Sequence, residues 1–301
     1  GRSAVVGIAI NRQERPARSS EDWNGDIVGC CSAPAYLALQ PGFQRVIAGY
    51  PGRGSYHQMQ LNLAVNEPSL PDGHITHLYF SDPSLRPDGV LIIGARQHEP
   101  LIVQARELGI PCVLVGRQSS DPTLAAVGRD EEEVTFQATN YLLDIGHRAV
   151  AFVGGDEAYS YTHSRLSGYR CALEQRDGPI PDLWIALGDG WTAAGRVLAS
   201  SPEITAVIFI NDAYAMEGLP VFQANGRVIP DKLSVISFDD TEDARSFEPP
   251  LTSVSYPRFQ EGLWSMKILV DHIRQPLIKS CQVVFRASLI QRDSCTSPKR
   301  A

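Results

Sequence analysis

The chain has 301 residues, 43% hydrophobic and 20% charged, with a net charge of −7. That length allows two ordinary lobes or one large α/β domain, and that composition suits a packed core rather than general disorder. No stretch approaches the roughly 20 apolar residues of a membrane helix, and no run of five Lys or Arg gives the footprint of a nucleic-acid surface. In chain order, strand-like runs are expected at Val5–Ile10, Met59–Ala64, Val90–Ile93, Cys112–Val115, Ala149–Val153, Ile185–Leu187, Ala206–Ile210, Ser234–Phe238 and Val283–Ile290. Several are apolar without alternation, the pattern of a parallel strand covered on both faces. Helix-like stretches lie between them and supply the crossovers that parallel strands need.

Three helices carry terminal signals. Glu99-Pro100 opens one that Gly109 closes. Asp130 caps a second over Glu131–Ile145, with Glu133 at the capping-box position, three glutamates in the first turn and Gly146 as the stop. Its apolar face is expected at Val134, Ala138, Tyr141, Leu142 and Ile145. A third runs from Asp212 to Asn225, where Pro220 predicts a kink or an early end. Residues 11–34 and 67–87 are long, polar and rich in turn formers, which points to function, mobility or insertion. The tail, 294–301, reads as disordered.

The opening Gly1-Arg2-Ser3 runs into an apolar stretch without the pattern of a signal peptide, and the six cysteines form no C-x-x-C pair. Both point to a reducing, cytoplasmic setting. His74 and His77 have H-x-x-H spacing but no further ligand in register, so no metal site is expected, and no cofactor motif is complete. Gly188-Asp189-Gly190 lacks the third glycine of a dinucleotide loop. No nucleophile–base set stands out, so the chain is not expected to be an enzyme. His147, just after a helix stop, reads as a packing and capping residue.

Open parallel sheets gather ligands at the carboxyl ends of their strands. The residues following the expected strands are Asn11; Arg96; Arg117; Tyr159, Tyr161 and Arg165; Trp191; Asn211 and Asp212; and Asp239 and Asp240. This set is rich in carboxylates, amides, guanidinium forks and aromatic rings, which together suit a polyol: acceptors and donors for hydroxyls, and a ring face for C–H groups. Asn211 is expected to face the ligand while Asp212 caps. Asp239 is the better ligand candidate and Asp240 the better cap.

From about Val90 to Ser294 the sequence resembles the lactose-repressor/galactose-repressor (LacI/GalR) family of bacterial transcription regulators. The stretches that carry the resemblance are Val127-Gly128-Arg129-Asp130, Ala138 through Arg148, Phe152-Val153-Gly154-Gly155, Ser164 through Tyr169, Ala206 through Asp212, Pro230 through Asp240, and Pro249 through Val254. From Asn11 to Phe80 the match is poor. The resemblance implies a two-lobed, periplasmic-binding-protein-like α/β fold with three crossing segments, each lobe a mainly parallel sheet flanked by helices. The expected lobes are 3–128 plus 257–281, and 129–256 plus 282–293. It further implies a homodimer, and operator DNA contacted through a helix-turn-helix headpiece that would precede Gly1. Residues carried over by position as effector contacts are Arg165, Trp191, Asn211, Asp239 and Tyr256; Asn11, Arg96, Arg117 and Tyr159 are added from their places at strand ends. The expected function is sensing of a small sugar or sugar-like effector, the alternative a solute-binding protein of a sugar transporter. Replacing Arg165 or Asp239 by Ala is expected to abolish stabilisation by ligand while the protein stays folded.

Overall fold

A computed structural model describes the backbone of residues 4–11, 59–66 and 177, and residues 87–176, 178, 181–188, 195–197, 201 and 203–298 in full. The chain divides into two compact units, residues 1–129 with 257–285, and residues 130–256 with 286–301. It therefore passes from one unit to the other three times.

The first unit is built on a six-stranded, all-parallel sheet. Its strands are β1 (Ala4–Asn11), β2 (Met59–Asn66), β3 (Gly89–Ile93), β4 (Cys112–Val115), β5 (Ala125–Arg129) and β11 (Gln282–Phe285), in the order β11-β5-β4-β3-β1-β2. β3 is buried along its whole length, as its unbroken apolar run requires. Successive side chains feed opposite faces. Leu91, Ile93, Val113 and Val115 pack on one side with Met266 and Leu269 of α6 (Arg258–Arg274). Val90, Ile92 and Leu114 pack on the other with Leu101 and Ala105 of α1 (Pro100–Glu107).

In the second unit β6 (Val150–Gly154), β7 (Ile185–Leu187), β8 (Ala206–Phe209), β9 (Ser234–Phe238) and β10 (Thr252–Ser255) are parallel, and β12 (Ser288–Ile290) closes the edge antiparallel to β10. Among the described residues the helices that bear on the site are α2 (Glu131–Asp144), α3 (Ser160–Asp177), α4 (Asp212–Ala224) and α5 (Glu242–Ser246). The α/β class with mainly parallel, helix-flanked sheets is as expected.

Several details differ. The expected strand Val283–Ile290 is two strands, one in each sheet, and the third crossing falls after Phe285 rather than after residue 281. Arg286 and Ala287 carry the chain across, a break that an apolar pattern cannot reveal. β5 and β10 were not anticipated; both are short and carry Gly, Arg, Thr or Ser. α4 continues through Pro220, held by buried Leu219 and Phe222 on either side. On α2 the buried face is Val134, Thr135, Ala138, Thr139, Leu142 and Leu143, while Tyr141 and Ile145 are half-exposed. Both buried threonines turn their hydroxyls back to helix carbonyls, Thr135 to Glu131 and Thr139 to Thr135, so burial leaves neither unsatisfied.

The tail is not loose as far as Pro298. Ser294 Oγ donates to the Val235 carbonyl at 2.6 Å and accepts from Thr252 N–H at 2.8 Å, and Thr296 N–H donates to Ser234 Oγ at 3.0 Å. Backbone Val235 N–H donates to the Ser294 carbonyl, extending the edge beside β9. His147 sits beneath this strap, 1% exposed, with ring nitrogens 2.8 Å from Thr205 Oγ1 and 2.9 Å from both Ser234 Oγ and the Thr296 carbonyl. Burial lowers the imidazole pKa, against the raising effect of the Thr296 carbonyl bond.

Candidate ligand-binding edges of the two sheets

In the first unit, Asn11 is the last residue of β1. Arg96 follows β3 and Arg117 follows β4, and the two meet: Arg117 Nη1 donates to the Arg96 carbonyl at 2.6 Å. Glycine makes this turn possible. A Cβ on Gly128 would lie 2.5 Å from the Arg117 carbonyl carbon, so only glycine lets the turn after β4 fold against β5. Partial burial lowers the Arg117 pKa, with Glu99 opposing. Nearby, Arg129 at the end of β5 forms a buried pair with Glu261 of α6, Nη2 to Oε2 at 2.8 Å.

In the second unit the carboxyl ends of β6, β8 and β9 bring together Arg165, Asn211 and Asp239. Arg165, on α3, is 3% exposed. Its guanidinium donates from Nε to Glu131 Oε2 at 2.8 Å, from Nη2 to Glu131 Oε1 at 3.0 Å and to Tyr256 Oη at 2.8 Å, and from Nη1 to the Ile210 carbonyl. Tyr256 Oη in turn donates to Glu131 Oε2 at 2.7 Å. The cation lies 4.3 Å from the Phe238 ring centroid, 5.3 Å from that of Tyr161 and 5.7 Å from that of Tyr256. Burial works against its charge, but Glu131, Tyr256 and Asp239 outweigh it and raise the pKa.

α3 can approach α2 this closely because Gly168 faces it. A Cβ there would stand 2.1 Å from the Glu132 carbonyl oxygen. One turn earlier on the same helix, Arg165 reaches the Glu131 carboxylate. The spacing Arg165-x-x-Gly168 thus couples a close helix contact to a buried ion pair.

The cap expected of Asp212 belongs to Asn211, and Asp212 is buried instead. Asn211 is the N-cap of α4, its Oδ1 accepting from Tyr214 N–H at 2.9 Å. Asp212 is 2% exposed and accepts from Ser253 Oγ at 3.0 Å, Thr241 N–H at 2.7 Å, Thr241 Oγ1 at 2.9 Å, and Ser237 Oγ. Burial and the neighbouring Asp239 push its pKa up to about 6 despite these donors. Asp239 is half-buried with φ of 102° and Asp240 has φ of 52°, so consecutive left-handed residues swing the chain off β9. Asp240 pairs with Arg245, 2.9 Å from Nη2, and with Arg292. The cap of α5 is Thr241, not Asp240. Tyr159, 2% exposed, precedes α3 and stacks at 5.6 Å on Tyr161. Trp191 and the His74/His77 pair lie outside the described residues. Among the described residues, no group of three or more His, Cys, Asp and Glu could hold a metal, and no helix is long and apolar enough to cross a membrane.

Sequence reasoning assigned Glu131 to the helix dipole and missed its bond to Arg165, which lies 34 positions away. Asp212 as a buried hub was also missed. The one available signal was Gly168, whose meaning depends on knowing that α2 and α3 touch.

Two sheets of this topology, joined by three crossings and edged with buried polar and aromatic side chains, define a periplasmic-binding-protein-like fold. The chain belongs to the periplasmic binding protein-like domain family, whose model matches residues 139–295, just over half of its length. Among curated proteins it is 30% identical over 222 residues to the HTH-type transcriptional regulator CelR of Thermobifida fusca, covering 69% of this chain and 63% of CelR. The chain thus spans less than two thirds of that regulator's length. The solved CelR–cellobiose complex is 26% identical with a TM-score of 0.79, covering 96% of this chain and 84% of that one. A LacI family regulator of Enterococcus faecium with bound ribose has the same fold, at TM-score 0.75 and 20% identity, covering 98% of this chain and 100% of that one. The resemblance to LacI/GalR regulators is borne out by these relatives.

Proposed function

We propose that this chain is the effector-sensing part of a bacterial LacI/GalR-type transcription regulator, binding a small sugar or sugar-like molecule at the carboxyl edges of its sheets. The observation that carries this reading is the clustering of Arg165, Tyr161, Phe238, Tyr256 and Asp239 at one sheet edge. Such a set presents acceptors, donors and ring faces to a polyol, and buried polar groups of this kind reject analogues that leave them unpaired. The proposed ligand residues are Asn11, Arg96, Arg117, Tyr159, Arg165, Trp191, Asn211, Asp239 and Tyr256. Two bonds bear on this reading: Arg165 pairs with Glu131, and the Asn211 side-chain oxygen caps α4, which leaves its amide nitrogen as the group offered to a ligand in this proposal.

The relatives support control of DNA binding, so ligand would stabilise one arrangement of the two units and thereby bias a helix-turn-helix headpiece in a cytoplasmic homodimer. No catalytic role is assigned to any residue. In the CelR structure the partner named is cellobiose, which makes gluco-configured mono- and disaccharides the first probes. The test is a thermal-shift screen of wild type and Asp239→Asn against those sugars. Stabilisation of wild type but not of the variant is expected; equal stabilisation of both would exclude Asp239 from the site. Sedimentation distinguishes the transporter alternative, for which a monomer is expected.

A further inference from the structure

A guanidinium fork matches a carboxylate or phosphate in shape, so a buried arginine at a sheet edge is ordinarily the means of holding an anionic ligand. Here the fork is already filled from within. Both Glu131 oxygens lie on it, at 2.8 Å from Nε and 3.0 Å from Nη2. Tyr256 braces the pair by donating to Glu131 and accepting from Arg165. With the bond to the Ile210 carbonyl, four of the five N–H groups of the guanidinium are engaged. The rings of Phe238 and Tyr161 flank the cation.

Glu131 and Asp239 both bear on this one cation, and Asp212 is near enough to Asp239 for the two carboxylates to repel. Asp240 is matched separately by Arg245 and Arg292. An incoming anion would have to displace Glu131 from its buried pair or sit beside Asp239. A neutral polyol faces neither penalty.

We propose that Glu131 determines specificity by occupying the Arg165 fork as an internal carboxylate, so that this edge accepts neutral hydroxyl-bearing ligands and rejects uronates and sugar phosphates. This rests on the effector reading above and narrows its ligand class. Glu131 acts through Arg165 and is a positioning residue.

The test uses the 301-residue chain and matched probes: glucose, glucuronate and glucose 6-phosphate, with ribose and ribose 5-phosphate as a second set. Titration calorimetry gives a Kd for each with wild type, Glu131→Gln and Glu131→Asp. In wild type the neutral member of a set is expected to bind about tenfold or more tightly than its anionic partners. Glu131→Gln is expected to narrow that ratio about tenfold, because the fork becomes available. An anionic partner binding wild type as tightly as its neutral counterpart overturns the charge rule and leaves the effector reading standing. A folded Glu131→Gln protein with an unchanged ratio removes Glu131 as the determinant. Should that variant fail to fold, Glu131→Asp, whose shorter side chain leaves part of the fork open, decides by the same ratio, and an unchanged ratio there likewise removes Glu131. Binding of no probe in either set to wild type overturns the effector reading, and this inference with it.

Discussion

At the scale of single residues, the central fact is that Arg165 is buried in a salt bridge rather than held open at the surface. The expectation that Arg165→Ala would spare the fold therefore needs correcting. Truncation leaves Glu131 buried with its cation gone, and breaking a buried pair from one side costs about 3–5 kcal/mol. Urea unfolding of Arg165→Ala is expected to show a loss of that order, while Arg165→Met combined with Glu131→Gln recovers a large part of it, since no uncompensated charge then remains. Recovery of nothing would mean that the guanidinium's packing against Phe238, not its charge, carries the stability. Asp212 adds a pH signature. Its carboxyl titrates near 6 in the fold, against about 3.9 in an unfolded chain, so between those values the folded state keeps a proton that the unfolded state gives up. Its contribution to stability accordingly falls as pH rises through that window, by about 3 kcal/mol at most above pH 6. His147 has the opposite sign: its pKa is lowered, so its contribution is complete above the unfolded value and is lost as pH falls through the folded one. Comparing Asp212→Asn with wild type isolates the aspartate, because His147 is common to both. The variant should lose less stability, or gain some, between pH 5 and pH 7.5. Parallel pH profiles would show that Asp212 is ionised throughout.

At the scale of elements, the contact of α2 with α3 places the ion pair, and Gly168 is its hinge point of sequence. A methyl group 2.1 Å from the Glu132 carbonyl oxygen cannot be accommodated by a side-chain shift, because the obstacle is backbone. Gly168→Ala is expected to separate the helices and cost about 3 kcal/mol, at the upper end for overpacking, with weaker ligand stabilisation as Arg165 is drawn off Glu131. A loss below about 0.5 kcal/mol would mean that the helices slide freely. The same elements show what the sequence disclosed. Helix ends were legible where chemistry is local: Asp130 caps as read, the first helix opens at Glu99-Pro100 as read, and Gly109 and Gly146 carry the positive φ expected of them. Fully apolar strands were legible because burial on both faces leaves no alternation. β5 and β10 were not, since Ala125-Ala126-Val127-Gly128-Arg129 and Thr252-Ser253-Val254-Ser255 are strands only by virtue of their neighbours. The site was read as a set of strand-end residues, and Arg165, Asn211 and Asp239 do share one sheet edge. Their division of labour depended on partners distant in sequence: Glu131 for Arg165, Ser237, Thr241 and Ser253 for Asp212, and Arg292 for Asp240.

At the scale of the whole molecule, the chain leaves the first unit twice and enters the second twice, so the segment after the third crossing closes the second unit. β12 pairs with β10, and Ser294 through Thr296 then lie along β9 above His147. Composition alone made this strap look like a disordered tail, because Ser, Thr and Cys carry no apolar signal; their value here lies in hydrogen bonds to buried backbone. Removing residues 294–301 exposes the Val235 N–H and carbonyl, strips Thr252 N–H of its acceptor and leaves His147 without the Thr296 carbonyl. Four such bonds at about 1 kcal/mol each make a loss of about 4 kcal/mol, and it falls on one unit alone. The two units of the truncated chain should then unfold in separate steps under urea, the second unit first, with hydrogen exchange accelerated in β9 and β10 and unchanged in β3 and β4. A single transition moved uniformly to lower urea would show instead that the units share their stability, and that the strap supports the molecule as one cooperative body.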